Sequence, residues 1–521
     1  MVRFARWLDR NIVELARELR WSYLPPLMVY MAAGISGLTG IVGTFFIKEY
    51  LDLSAEFLAV VGFWAGIPWA LKMPVGHLVD LIWRWKAALV WLGAGLIAAS
   101  LAVMYGLIAH TAAMRAVLPA ASWFVIAALL SPVGYMVQDA VADAMTVEAV
   151  PRADERGRPY EPAALKLMHT TMQTLGRVAI IGGTVLVSLV NVWLFRNVEG
   201  LSEPEKAALY GDVYATALII PALSVAGVVL HGFLKHPRPA VEKTEPNWWI
   251  LGGSLAFVLI VLAVGLGGVR NAQELVFAGS FAVILFLLWR LARELDARSR
   301  EVLVATALVL FVYRSMPGTG AGTIWWEIDA LGFDQAFIAK LSVIASVLTL
   351  FGMFIFRRFM AERSIAYIIV VLTLAGTLLA TPIIGMYYGL HEWTAARTGG
   401  VVDARFIALV DTALESPLGQ IAMIPMLAWI ANSAPSNLKA TYFAVMASFA
   451  NLALSASQLG TKYLNQIFVV TREVRDPASG VVKLPADYSE VGFLLLGATA
   501  IGLALPLAAV AAVRIFRLRT A

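Results

Sequence analysis

The chain contains no cysteine, which excludes disulfides, thiolate metal sites and thiol nucleophiles. Charge is scarce as well: only 14% of its 521 residues are Asp, Glu, Lys or Arg, against 60% hydrophobic. A soluble globular chain is about 45–50% apolar, so an ordinary water-soluble protein is excluded. No Gly-x-x-x-x-Gly-Lys loop and no His-Glu-x-x-His pair occurs, so ATP-driven pumping and zinc hydrolysis lack their parts. The glycines of "GTGAG" at 318–322 lie in no strand–turn–helix unit, and no cofactor is implied. The net charge of +5 does not describe a nucleic-acid surface, because the basic residues fall in loops. What the chain has in quantity is apolar runs of roughly 18 or more residues, each long enough to cross a membrane as a helix.

The runs predict spans at 27–47, 56–82, 87–109, 121–147, 166–195 and 213–234, then at 302–324, 335–357, 364–390, 406–430, 439–464 and 490–514. Between the two sets lies an additional pair, 248–268 and 275–293, with no ionisable group inside its apolar cores, which reads as peripheral to any transport path. The expectation is an all-α membrane protein with 14 transmembrane helices. Two six-helix bundles plus an inserted helix pair describe the major facilitator fold, whose substrate site lies at mid-membrane between the halves. The corresponding units are 1–24, an amphipathic N-terminal helix with five arginines lying on the membrane face, then 25–236, 237–300 and 301–521. With the N-terminus inside, the inner segments hold about 25 of the 40 basic residues, which favours both termini cytoplasmic. A bacterial inner membrane is the expected location. Segment 465–489, with mixed charges and turn formers, reads as an outer hairpin or loop.

A charge at the bilayer centre costs roughly 3 kcal/mol or more and persists only when paired or facing water. From the helical rise, Lys72, Asp139 and Arg177 lie about 15, 12 and 16 Å from the inner ends of three spans. Asp143 sits one turn below Asp139 on the same face, and Glu148 lies at the inner interface. The acids are therefore expected to meet cations inside the bundle, as Lys72–Asp139 and Arg177–Asp143 pairs. In the second half Arg314 directly precedes "SMPGTGAG", where Pro317, Gly318, Gly320 and Gly322 should break a helix near mid-membrane. Irregular backbone at that depth is tolerated only inside protein or beside a cavity. Asp411 and Glu415 are one turn apart, and Asn451 lies about 18 Å into the next span. Substrate contact is expected at Lys72, Arg177, Arg314 and Asn451, and proton handling at Asp139, Asp143 and Glu415. Each has a structural alternative: ion pairs between helices, a hinge at Pro317, a Glu415–Arg314 pair, an interhelical hydrogen bond from Asn451. Gly62 and Gly66 form a GxxxG read as close helix packing, and His169 and Gln173 as structural.

The stretch "IPWALKMPVGHLVDLIWRWK" places Gly76, Asp80, Arg84 and Lys86 in a pattern that resembles the cytoplasmic gating motif of facilitator transporters. With Pro68, Trp69 and Lys72 it more specifically resembles the folate–biopterin transporter family. "QDAVADAMTVE" is similar to that family's fourth helix, and "APSNLKATYFAVMASFANLALSASQLG" to its eleventh, through Pro435, Thr441, Phe443, Ala444, Asn451 and Gly460. The resemblance spans most of both halves but not 240–300. It implies a secondary active transporter, not an enzyme, moving an anionic or amphoteric folate- or pterin-like solute with protons. The gate would involve Gly76, Asp80, Arg84, Lys86, Pro317, Gly318 and Gly320. Its partners are that organic solute, H+ and the lipid bilayer, with no nucleic acid; the oligomeric state stays open. "QDAVADAMTVEAVPRADERG" also resembles muropeptide permeases. Two other classes remain: a membrane transferase holding a divalent cation on Asp139 and Asp143, and a receptor or assembly factor that does not transport.

Overall fold

The computed structural model describes residues 19–51, 53–70, 72–82, 85–151, 158, 160–234, 246–267, 269–293, 295–419, 421–423, 426, 439–475 and 482–520. Most of the expected N-terminal amphipathic helix, and Arg84, lie outside these. So do the side chains of Asp80, His169 and Gln173.

Helices dominate, as the apolar runs require, because in hydrocarbon every backbone polar group must be satisfied within the segment. The first half contains α1 (Leu24–Gly34), α2 (Gly40–Tyr50), α3 (Ala55–Ala70), α4 (Lys72–Leu81), α5 (Lys86–Ala109), α6 (Ala120–Ala149), α7 (Pro162–Leu194), α8 (Glu203–Thr216) and α9 (Ile219–Phe233). The inserted pair is α10 (Trp248–Leu266) and α11 (Ala272–Ala292). The second half contains α12 (Ala297–Arg314), α13 (Ala321–Ala330), α14 (Gln335–Ile355), α15 (Ile365–Leu379), α16 (Thr381–Tyr387), α17 (Ala404–Glu415), α18 (Lys439–Ile467) and α19 (Val491–Ile515), joined in places by shorter helical turns. Between α18 and α19 a small antiparallel hairpin pairs β1 (Val474–Arg475) with β2 (Val482–Leu484), within the segment whose turn formers marked it as a hairpin or loop.

Among the described residues ten helical segments are long and apolar enough to cross a membrane, from Trp21–Lys48 to Val491–Ile515. They coincide with ten of the fourteen segments read from the sequence. The other four are helical but fall short of that measure. α10 has only a shorter apolar stretch, Leu251–Gly265. The helix expected over 302–324 is broken between α12 and α13. α17 ends at Glu415, ahead of residues largely outside the description. α18 runs 29 residues but carries a polar stripe.

The halves meet along two seams. α7 packs on α14, where Ser188 and Ser346 share a buried 3.2 Å hydrogen bond. α3 and α4 pack on α18. There Gly62 and Gly66 face Gln458 and Ser455: a Cβ at Gly62 would stand 2.8 Å from Gln458 Oε1, and one at Gly66 3.0 Å from Ser455 Oγ. The GxxxG thus sits on the seam and lets the two bundles approach. Within the first half Gly34 of α1 crosses α7 so closely that a Cβ would lie 2.2 Å from the Ile180 carbonyl oxygen.

The inserted pair lies along the α3–α18 seam. The Asn247 N–H, just before α10, donates to His77 Nε2 of α4 at 3.0 Å, and Gly265 packs on the Trp64 ring of α3. α11 stands on the second half, where Glu274 meets Lys462 at 2.7 Å and Tyr463 at 2.5 Å. Phe281 of α11 stacks with Phe449 of α18 and packs at a tilt on Phe311 of α12.

Overpacking costs about 1–3 kcal/mol, so Gly34→Ala and Gly352→Ala, whose Cβ atoms would lie 2.2 Å from backbone oxygens, should each lower the detergent melting temperature by several degrees. Gly95→Ala, with no atom within 4 Å of the new Cβ, should not; thermal unfolding of the three variants checks this.

Candidate functional site

In the first half Lys72, at the start of α4, faces α6. Its Nζ lies 2.5 Å from Asp139 Oδ2 and 2.8 Å from Asp143 Oδ2. Tyr30 of α1 donates its hydroxyl to Asp143 Oδ1 at 2.6 Å. The Asp139–x–x–x–Asp143 spacing puts both carboxylates on one helix face, and one lysine bridges them. Within the cluster the Asp143 side chain is the more open, 42% exposed against 18% for Lys72.

Arg177 of α7 is within electrostatic reach of Asp139 and Tyr30. The expected Arg177–Asp143 pair does not form. Lys72 holds one Asp143 oxygen and Tyr30 the other, so Arg177 has no ion pair among the described residues. With those oxygens engaged by an ammonium and a phenol, the aspartates form an ion-paired cluster rather than the open oxygen cage a divalent cation takes.

In the second half Arg314 closes α12, and the backbone unwinds over 315–320 before α13 begins. Gly320 holds φ +74°, a left-handed conformation that glycine adopts without strain. The break is held by α18. Gly318 N–H donates to Thr461 Oγ1 at 2.9 Å, Ser457 Oγ to the Met316 carbonyl at 2.6 Å, and Asn465 Nδ2 to the Thr319 carbonyl at 3.2 Å. Ser457, Thr461 and Asn465 recur every four residues, so one polar stripe satisfies the freed backbone. Sequence reading located the break and missed the stripe, whose signal was this period within an otherwise apolar helix. Pro317, Gly318 and Gly320 are thus pinned in place, with Gly460 against the Pro317 ring.

Arg314 Nε donates to the Ala450 carbonyl at 3.0 Å and has no carboxylate partner among the described residues. The adjacent Asn451 does not offer its amide to a ligand: Nδ2 donates to the Trp69 carbonyl of α3 at 3.1 Å. That bond is an interhelical tie, the structural alternative for this residue. Residues 450 and 451 therefore connect the helix just before Lys72 to Arg314. Glu415 is exposed and does not pair with Arg314. Asp411 lies within electrostatic reach of both Glu415 and Glu327 of α13, the last an acid the sequence reading passed over.

Of the expected gate residues, Lys86 is buried and pairs with Glu148 at 2.8 Å, while His231 Nε2 lies 3.3 Å from the other Glu148 oxygen. That network ties α5, α6 and α9 within the first half. Gly76 has open space beside it. At the opposite end of the bundles the two halves are bonded directly. Lys48 meets Asp329 at 2.5 Å, Gln466 donates to Glu56 at 2.6 Å and Gln335 to the Tyr210 hydroxyl at 2.7 Å. The Tyr488 hydroxyl also donates to Asp329. No sequence motif announced these bonds, because each partner is an ordinary polar residue, most of them near a helix end.

The BT1 family model matches residues 33–516. The chain belongs to the BT1 family. A folate-biopterin transporter of Synechocystis sp. is 22% identical over 449 residues, covering 85% of this chain and 74% of that protein. A putative folate transporter of Plasmodium berghei is 24% identical over 169 residues, 31% of this chain and 34% of that one. Among solved structures, an auto-inhibited POT family peptide transporter superposes with a TM-score of 0.60 at 12% identity, covering 96% of this BT1-family chain and 97% of its own. The nucleoside transporter NupG gives 0.55 at 12% identity, covering 94% and 99%. At such identity the likeness establishes the fold, that of major facilitator-type transporters, and the apolar helices make this an integral membrane protein.

At the Glu148 end of the bundle, burial acts to raise that carboxyl, but the hydrogen bonds from His231 and Lys86 outweigh it and hold it below the ordinary carboxylate range. A depressed folded value gives stability that is present above the unfolded pKa and lost as pH falls through the folded one. The melting temperature should therefore drop below about pH 4, and Glu148→Gln should flatten that acid limb in a melting-versus-pH series.

Proposed function

We propose that this protein is a secondary active transporter that carries an anionic or amphoteric organic solute of the folate or pterin class across a bacterial inner membrane by alternating access, coupled to protons. The observation that carries the reading is a pair of guanidinium groups, one in each bundle, that have no carboxylate partner among the described residues: Arg177 beside the Lys72 cluster and Arg314 at the helix break. A membrane-embedded cation without a counter-ion needs an anion or water. The acid groups of a solute lying between the halves would supply it, and guanidinium binds carboxylates in bidentate geometry. The names of the Synechocystis and Plasmodium relatives support folates or pterins as the class.

Lys72 would join the solute's binding shell when a carboxylate releases it. Among the cluster's acids Asp143 is the most open to water, which suits uptake and release of a proton; Asp139 and Glu415 are the further candidates. Gly76, Asp80, Arg84 and Lys86 in the first half, and the 315–320 break in the second, are the elements that would change as the bundles rock. In this reading the four helices short of the apolar measure also cross the membrane, giving fourteen spans with both termini cytoplasmic, arranged as units 25–236, 237–300 and 301–521. The bonds of Lys48, Glu56 and Tyr210 across the seam then close the outer side.

A charge-assisted hydrogen bond is worth about 1.5–3 kcal/mol, or roughly 10- to 150-fold in affinity. Arg177→Ala and Arg314→Ala should each reduce uptake of folic acid or biopterin into proteoliposomes by at least about tenfold while melting like the parent protein. Asp143→Asn should lose the stimulation by an inward proton gradient. Undiminished uptake by both arginine variants would remove the reading.

A further inference from the structure

Tyr30 stands at the point where the first-half cluster divides its charges. It is 6% exposed and projects from α1 between the α6 carboxylates and α7. Its hydroxyl takes Asp143 Oδ1 at 2.6 Å while Lys72 takes Oδ2 at 2.8 Å. Its ring lies against Gly176, the residue before Arg177, where a Cβ would stand 2.9 Å from Tyr30 Cε2. One turn further along α1, Gly34 presses on the Ile180 carbonyl. The tyrosine is thus wedged in the tightest part of the α1–α7 crossing. Its ring touches the turn that carries Arg177, and its hydroxyl occupies the Asp143 oxygen that Lys72 leaves open.

We infer that Tyr30 is a positioning residue that keeps Asp143 on Lys72 and away from Arg177, so that the guanidinium stays open to the acid group of the transported solute. This rests on the assignment of Arg177 to solute binding and adds the device that keeps it available. The chemistry is competition. Asp143 belongs to the protein and has a high effective concentration, so once freed it pairs with Arg177 and excludes a solute carboxylate. Apparent affinity then falls by the fraction of molecules in which Arg177 remains open. If Asp143 occupied Arg177 in about nine molecules of ten, binding would weaken about tenfold. Tyr30 acts through Asp143 and does not touch the solute.

The test is equilibrium binding of folic acid to the purified full-length protein, which reads affinity without requiring proton-coupled turnover. Tyr30→Phe keeps the ring and deletes the hydroxyl, and should weaken binding about tenfold. Adding Asp143→Asn to Tyr30→Phe should restore binding to within a few-fold of the Asp143→Asn protein, because a neutral amide does not compete for a guanidinium. Gly176→Ala, which displaces the ring, should give the same loss and the same rescue. Tyr30→Phe binding like the parent overturns the inference. So does a loss that Asp143→Asn fails to rescue, the result a merely structural tyrosine would give. Arg177→Ala binding as tightly as the parent would instead sink the assignment of Arg177. Absence of folic acid binding by the parent protein would take both readings with it.

Discussion

Withdrawing an ion from water costs several kcal/mol unless an opposite charge and hydrogen bonds replace the lost hydration, and in this protein that constraint is met unevenly. Lys72 takes two carboxylates, and Tyr30 completes the shell of one of them. Arg177 and Arg314 receive no carboxylate from the described residues. Counted together, Lys72, Arg177, Asp139 and Asp143 are neutral, so the first-half site tolerates its depth. The contacts are nevertheless lopsided, with the negative groups gathered on the lysine. Adding Arg314 makes the sum positive. An incoming organic anion would complete the balance, and in a low-dielectric chamber such completion is worth more than at a protein surface.

The same constraint explains why α18 matters on several sides at once. It faces α3 through small and polar contacts, Gly62 on Gln458 and Gly66 on Ser455, which allow the backbones to come close without a bulky interlock. Ser457, Thr461 and Asn465 satisfy the unwound backbone after Arg314. At 450–451 it binds both half-sites, with the carbonyl of Ala450 accepting from Arg314 and the amide of Asn451 donating to Trp69. A shift of α18 against α3 therefore disturbs the Arg314 side chain and the backbone leading to Lys72 together. Coupling between solute occupancy and bundle position needs such a shared element with differential contacts in two states.

Much of this was legible from the sequence because membrane burial makes single residues informative. A lysine, an aspartate pair and an arginine on three separate spans had to converge or be exposed to lipid, and Lys72, Asp139 and Asp143 do converge. The Pro-Gly run after Arg314 marked a helix break, and the break is there. What the sequence concealed was partnership. Depth and face did not distinguish Arg177–Asp143 from Tyr30–Asp143, because a tyrosine in an apolar helix looks like packing until its hydroxyl is placed. Asn451 carried both a ligand and an interhelical reading for the complementary reason, since its carbonyl partner on Trp69 leaves no mark in composition. The seal from Lys48 to Asp329 joins residues nearly three hundred positions apart, and no periodicity connects them.

The inserted pair shows how a segment can read as peripheral and still belong to the seam. Its apolar cores carry no ionisable group, and outward-facing Trp248, Leu255, Leu259 and Leu262 suit lipid. Its attachments, however, are divided between the bundles: α10 to His77 and Trp64 of the first half, α11 to Lys462, Tyr463 and the Phe311–Phe449 ring pair of the second. The two helices are joined at one end by Arg290 over the Trp249 ring at 3.6 Å and along their length by Gly253 against Leu287 and Gly279 against Ile260. Bundles that rock about the α3–α18 seam would pull α10 and α11 in opposite senses. The glycine-lined contact between α10 and α11 is where such a movement would be taken up.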